Sequence, residues 1–163
     1  MISLRRLREV LYYSPRTGKF RWLERASNRI SVGDTAGTTR DGYVFVKVDG
    51  TIYKAHRLAF FYMVGYWPSS MLDHRNEVKS DNRWSNLREA TRSQNGQNIS
   101  KARSDSSSGC RGVSWYKKYG TWEARIKAEG SYLFLGRFKT KEEANAAYLQ
   151  AKAIHHPLSL AAA

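Results

Sequence analysis

The chain is short of cysteine, short of acidic residues and without a long apolar run, and each shortage removes a class of protein. Cys110 is the single cysteine in 163 residues. It excludes an intrachain disulfide and a four-cysteine zinc staple, so no structural zinc is expected. The first residues, MISLRRLREVLYY, hold two arginine clusters and no apolar stretch long enough for a signal peptide or a membrane span. A soluble protein in a reducing, cytoplasmic compartment is the expectation. Asp and Glu total 14 against 28 Lys and Arg, a formal net charge of +14. With 13% aromatic residues this is no disordered basic tail but a folded binder of polyanions.

The length allows two small domains. Leu4, Leu7, Val10 and Leu11 share one face at helical spacing and leave the arginines on the solvated side of a short helix. SPRTG at 14–18 reads as a turn, KFRWLE as a short strand, and a polar, glycine-containing stretch runs to Gly37. Val44, Val46 and Val48 alternate, Asp49-Gly50 is a tight-turn pair, and Thr51 to Ala55 returns, which predicts a hairpin. HRLAFFYMV at 56–64 predicts a helix packed on it, with His56 at its start as a structural residue.

Residues 71–98 carry the chemistry. Met71 to His74 and Asn86 to Glu89 read as a strand pair, followed by a helix whose capping box is Thr91 with Gln94. Cleaving a phosphodiester with a metal needs a hard oxygen ligand, a neutral imidazole to take a proton from water, and a group to hold that imidazole. Asp73, His74 and Asn86 supply these in order, and Asn95 on the helix offers a second oxygen ligand. Asn82 is an alternative orienting group whose other role is to shape the loop. Arg83, Arg88 and Arg92 are candidate phosphate contacts.

The order and spacing of Asp73, His74, Asn86 and Asn95 in DHRNEVKSDNRWSNLREATRSQN resemble the ββα-metal, or HNH, endonucleases. The resemblance implies Asp73 and Asn95 as metal ligands, His74 as general base and Asn86 as the residue that orients it. It implies one divalent ion, Mg²⁺ with Mn²⁺ as a substitute, completed by waters and the DNA phosphate. The amide ligand should disfavour soft metals such as Zn²⁺.

Residues 99–108 turn small and polar, a linker between a domain at 1–98 and one at 109–157. Three strands are expected in RGVSWY, TWEARIKA and SYLFLGRF. A closing helix with a capping box at Thr140 and Glu143 would present Ala144, Ala147, Tyr148, Ala151 and Ile154 on one face. Strand alternation puts Arg125 and Lys127 on one face of the sheet and Ala124 and Ile126 on the other, leaving a basic face for phosphates. Trp115 and Trp122 read either as core or as base contacts, and His155 and His156 as inert.

The pattern Arg111-Gly112-Val113, Trp122 to Ile126, Phe134 to Phe138 and EEANAAYLQA is similar to the AP2 DNA-binding domain. That resemblance implies DNA contact by Arg111, Ser114, Lys117, Lys118, Arg125, Lys127, Tyr132 and Phe134. Ser114 stands where plant members often carry arginine, Arg125 where an acid is usual, and Tyr132 and Phe134 where Arg and Trp are common. A different or weaker sequence preference is the consequence.

The fold class expected is α+β: an N-terminal β-hairpin and ββα-metal (HNH) nuclease module, then a three-stranded antiparallel sheet with one packed helix. The function expected is a metal-dependent endonuclease acting on double-stranded DNA, of the mobile-element, phage or homing type, in the bacterial host cytoplasm if phage-encoded. A monomer would nick; cutting both strands would take a homodimer or a second binding event. The rival readings are a DNA-binding regulator with an idle HNH module and an RNA-binding protein.

Overall fold

A computed structural model of the chain describes residues 1–156, so the expected domain end at 157 and the terminal alanines lie outside the described residues. The chain forms two compact units, Met1–Arg92 and a second from Ser93 onward. The architecture is mixed α+β, with several small antiparallel sheets and four α-helices among the described residues.

In the first unit, helix α1 (Leu4–Val10) starts at Ser3, whose side chain accepts from the backbone of Arg6, and buries Leu7 and Val10. Leu11, counted on that helix face from the sequence, instead opens strand β1 (Leu11–Ser14). The reason lies in the next residues: Leu11 and Tyr13 are buried and Tyr12 is exposed, so a two-residue period takes over from the helical one. β1 pairs antiparallel with β2 (Lys19–Trp22), and β3 (Thr35–Ala36) joins β2 from within the stretch read as irregular. β4 (Thr38–Arg40), β5 (Tyr43–Val48) and β6 (Thr51–Lys54) form a second sheet. Its β5–β6 turn has positive φ at both Asp49 and Gly50, 46° and 80°, the backbone that a two-residue hairpin requires.

Helix α2 (Ala55–Val64) ends on Gly65 in the left-handed conformation. Its Leu58, Ala59 and Phe61 pack with Leu7, Leu11, Phe20, Val46 and Val48 in one core. Strands β7 (Met71–His74) and β8 (Leu87–Ala90) then pair, and Leu87 reaches into that same core. A 3-10 turn, Trp84–Asn86, leads into β8. Asn86 is therefore a buried turn residue rather than the first residue of the strand.

Helix α3 (Arg92–Asn98) leads into the second unit. Residues 99–112 contain no helix or strand, yet their end is tied down: the buried Ser108 hydroxyl donates to the Val113 carbonyl at 2.7 Å and accepts from Cys110 N at 3.1 Å. Strands β9 (Val113–Tyr116), β10 (Thr121–Ala128) and β11 (Ser131–Phe138) form an antiparallel sheet with β10 in the centre. Helix α4 (Lys141–His155) begins with the Thr140–Glu143 capping box and buries Ala144, Tyr148, Ala151 and Lys152. Ile154 is exposed, because the buried stripe drifts toward Lys152 over the last turns and leaves position 154 about a quarter-turn outside it. Gly112 lets the chain enter β9: its φ is +71°, and a Cβ there would lie 2.4 Å from the Tyr148 ring.

Candidate active site

Asp73 and His74 are the last two residues of β7, opposite Arg88 and Leu87 of β8, and both are buried. A buried carboxylate is costly unless it is paired. Arg88 pairs it, with Nε at 3.0 Å and Nη2 at 2.8 Å from Asp73 Oδ2, and both side chains are only 7% exposed. Arg88, read from the sequence as a phosphate contact, turns its guanidinium inward and fixes the carboxylate.

The residue that meets His74 is Asn82. Its Oδ1 lies 3.2 Å from His74 Nε2, while its Nδ2 donates to the Ser80 carbonyl, which sets which end of the amide faces the imidazole. An amide oxygen only accepts, so Nε2 carries the hydrogen and neutral His74 keeps its lone pair on Nδ1. Asn86 has a different job from the orienting role that the sequence suggests. Its Oδ1 accepts from Asn76 N at 3.0 Å, and its Nδ2 donates to Asn76 Oδ1 at 2.9 Å and to the Asp81 carbonyl at 2.7 Å. Asn86 clamps the loop from Asn76 to Asn82, and Asn82 holds the imidazole. Arg83 forks onto Asp81, Nε to Oδ1 at 2.8 Å and Nη2 to Oδ2 at 2.5 Å, and holds the Asp81 carboxyl below the ordinary range. Half of the Arg83 side chain stays exposed.

The N-terminal hairpin supports this loop. Tyr13 OH donates to the Asn82 carbonyl at 2.6 Å, and Trp84 N donates to the Pro15 carbonyl at 3.0 Å. Gly18, φ +71°, lies so close that a Cβ would come within 2.4 Å of Arg83 N. Sequence reasoning missed Tyr13 and Gly18 as site residues. The only local signal was the glycine in SPRTG, which reads as a turn and gives no hint of what packs on it.

His56 and Tyr43 line the other side of the imidazole. The His56 ring centroid is 5.1 Å from that of His74, edge to face, and Tyr43 lies 5.5 Å from His56 and 6.2 Å from His74. Lys54 and Lys79 place ammonium groups 4.5 and 4.9 Å from the Tyr43 ring centre. Burial, helped by repulsion between its protonated form and that of His74 and by Lys54 and Arg57, pushes His56 down to about 3. Burial also lowers His74, against the opposing pull of Asn82, Asp73 and Asp81. Both imidazoles are thus neutral near pH 7, the state a base requires.

Among the described residues no three His, Cys, Asp or Glu side chains gather as a metal set. Asp73 provides one hard anionic oxygen. That donor chemistry fits a hard divalent ion that keeps most of its waters and takes phosphate oxygens, and it offers nothing to a thiophilic one.

Arg92, the last residue of the first unit, is exposed at the start of α3, and in the second unit Asn95 is half-buried on that helix. Arg111 lies in the turn before β9 rather than on the strand, and its Nη2 donates to the Gly96 carbonyl at 2.8 Å. Arg111 thereby ties α3 to the turn that enters the sheet. Ser114, Lys117, Lys118, Arg125, Lys127, Tyr132 and Phe134 are all exposed. Register pairs Arg125 with Phe134, Lys127 with Tyr132 and Ser114 with Glu123, so these share the sheet face opposite Ala124, Ile126 and Ala128. Trp122 packs against the core and Trp115 remains nearly half exposed beside it. His156, read as inert, is buried with Nε2 2.8 Å from the Lys127 carbonyl. The sequence reading also passed over Glu123 and Arg137 on this face.

No helix among the described residues is long and apolar enough to cross a membrane. No curated protein and no solved structure gives a significant match to the chain. Residues 53–97, which run from β6 through the Asp73–His74 strand and the Asn82 loop into α3, match the HNH endonuclease family, and the match supports an HNH nuclease domain there, acting on DNA.

Proposed function

We propose that the chain is a metal-dependent DNA endonuclease in which His74 deprotonates the attacking water, and that it serves a phage or mobile element as a homing-type enzyme. The observation that carries this reading is the buried Asp73–His74 pair at the end of β7, inside the HNH match, with the imidazole neutral and held through Nε2 by Asn82. In this reading Nδ1 of His74 takes a proton from water. The water oxygen forms the new bond to phosphorus as the bond to the 3′ oxygen breaks, leaving a 5′ phosphate and a 3′ hydroxyl. Asp73, fixed by Arg88, would be the anionic ligand for Mg²⁺ or Mn²⁺. The bound ion supplies Lewis-acid stabilisation of charge on the phosphate and on the leaving oxygen.

The 109–157 region, with its AP2-like sequence pattern, is the module that holds the DNA target, through the exposed face bearing Arg125 and Lys127. Electrostatic grip by such a face predicts a salt-dependent affinity. Single-turnover cleavage of an end-labelled duplex, run beside a binding titration, tests the assignment. His74→Ala should bind like the parent and fail to cut, and the parent's nick should reseal with ligase without prior phosphorylation. Cutting by the variant would place the base elsewhere; tight binding by the parent without any cutting would favour the regulator.

A further inference from the structure

On the outer face of the second unit's sheet, one carboxylate organises two arginines. Glu123 sits mid-strand on β10 with its side chain only 5% exposed, although it lies on the polar face. Its Oε1 lies 2.5 Å from Arg125 Nη2, and its Oε2 accepts from Arg137 Nε at 3.4 Å. Arg137, directly opposite Glu123 on β11, also lies against three aromatic rings. Its guanidinium carbon is 4.9 Å from the ring centre of Tyr116, 4.6 Å from Tyr119 and 5.7 Å from Phe134. Even so, its side chain is 42% exposed.

A long cation held through its inner nitrogen by a carboxylate, and along its length by rings, has lost most of its rotamer freedom before any ligand arrives. Because Nε is the atom spent on Glu123, the two terminal Nη groups remain to act as a planar fork. Such a fork matches two acceptors side by side. In the major groove guanine presents that pair, N7 and O6, whereas adenine presents an acceptor beside a donor and clashes with one arm. Phosphate also accepts a fork, but gripping phosphate needs no carboxylate to set direction, and the exposed Lys127 and Lys118 are cations on the same unit suited to that task. A buried acid on a DNA-facing surface weakens general attraction to a polyanion. Its presence is explained if it fixes direction rather than adds affinity.

We infer that Arg137, set by Glu123 and the Tyr116, Tyr119 and Phe134 rings, is a base-reading residue that selects guanine in duplex DNA. This rests on the reading of the sheet's outer face as the DNA surface. Arg125 shares the carboxylate and extends the same row toward Lys127, whose ammonium lies 5.8 Å from the Tyr132 ring. The face thus combines one fixed reader with cations that track the backbone.

The test is selection of bound duplexes from a randomised library by the full chain in EDTA, where no cleavage is expected, followed by affinity titrations against salt. The parent should enrich a guanine at one position. Arg137→Ala should lose that preference by about 10-fold or more while the salt slope changes by no more than a single contact. Glu123→Gln, which keeps size and removes the charge, should relax the same position without weakening binding to unselected DNA. If Arg137→Ala and Glu123→Gln select the same sites as the parent, the inference is wrong. If replacing both Arg125 and Lys127 by Ala leaves affinity and salt slope unchanged, the DNA-surface reading itself fails and takes the inference with it.

Discussion

His56 makes the first unit sensitive to acid in a way that can be calculated. It is 6% exposed, its Nδ1 has no hydrogen-bond partner, and it is held neutral down to about 3, against the ordinary histidine value. A histidine whose pKa is lower in the folded chain binds its proton preferentially in the unfolded one. Stability is therefore complete above the unfolded value, about 6.5, and is lost as pH falls from there toward 3. Between pH 7 and pH 5 the loss from this one residue is roughly 2 kcal/mol, since each pH unit below the unfolded value costs about 1.4 kcal/mol. His74 is shifted in the same direction and adds to the loss. His56→Phe keeps a flat ring against His74 and Tyr43 but cannot take a proton. Urea unfolding at pH 7 and pH 5, with amide exchange of α2 as the reporter of the first unit, measures the difference. The variant should lose about 2 kcal/mol less than the parent between the two pH values. An equal loss in both would show that His56 is not the buried neutral group described here.

Asn82→Ala should lower the rate of cleavage by 10-fold or more with DNA affinity retained, because the imidazole loses its tautomer-setting contact; single-turnover rates and binding titrations measure the split. Asn86→Ala should instead destabilise the first unit by about 1–3 kcal/mol, since it leaves buried loop groups unpaired, and a urea melt reads this directly. Arg88→Met removes the buried cation that pairs Asp73 and should destabilise the first unit by about 3 kcal/mol, read by a urea melt, with Asp73→Asn in the same chain recovering part of the loss. Gly18→Ala forces a Cβ against the Asn82–Arg83 backbone and should lower both stability and cleavage, although it lies 56 residues before His74 in sequence; thermal melts and nicking rates should fall together.

Much of the local structure was legible in the sequence because it is written in short-range patterns. The Val44, Val46, Val48 alternation with Asp49-Gly50 gave the β5–β6 hairpin, the Thr140–Glu143 box gave the start of α4, and DHR gave the end of β7. What escaped depends on contacts between distant residues. Leu11 reads as the end of a helix face until its strand partner, Trp22, lies beside it. The sequence favours Asn86 as the partner of His74 with Asn82 as the substitute, and only the path of the loop decides that the nearer one meets the ring. Arg88 looks like any arginine of a basic protein. Its inward direction follows from register, which sets it opposite Asp73. Glu123 lies within a predicted strand, but its burial between two arginines needs β11 in place. The support given by β1 and the turn after it is the largest omission, since nothing in residues 11–18 announces that they carry the loop of the catalytic candidate.

The most direct test of the central claim is plasmid nicking. Supercoiled DNA is incubated with the parent chain in Mg²⁺ and in EDTA, and with Asp73→Ala and His74→Ala in Mg²⁺. Conversion to open circles by the parent in Mg²⁺ alone, lost in both variants while DNA binding persists, is the result the Asp73–His74 site predicts. Open circles formed equally by His74→Ala, or by the parent in EDTA, would contradict it.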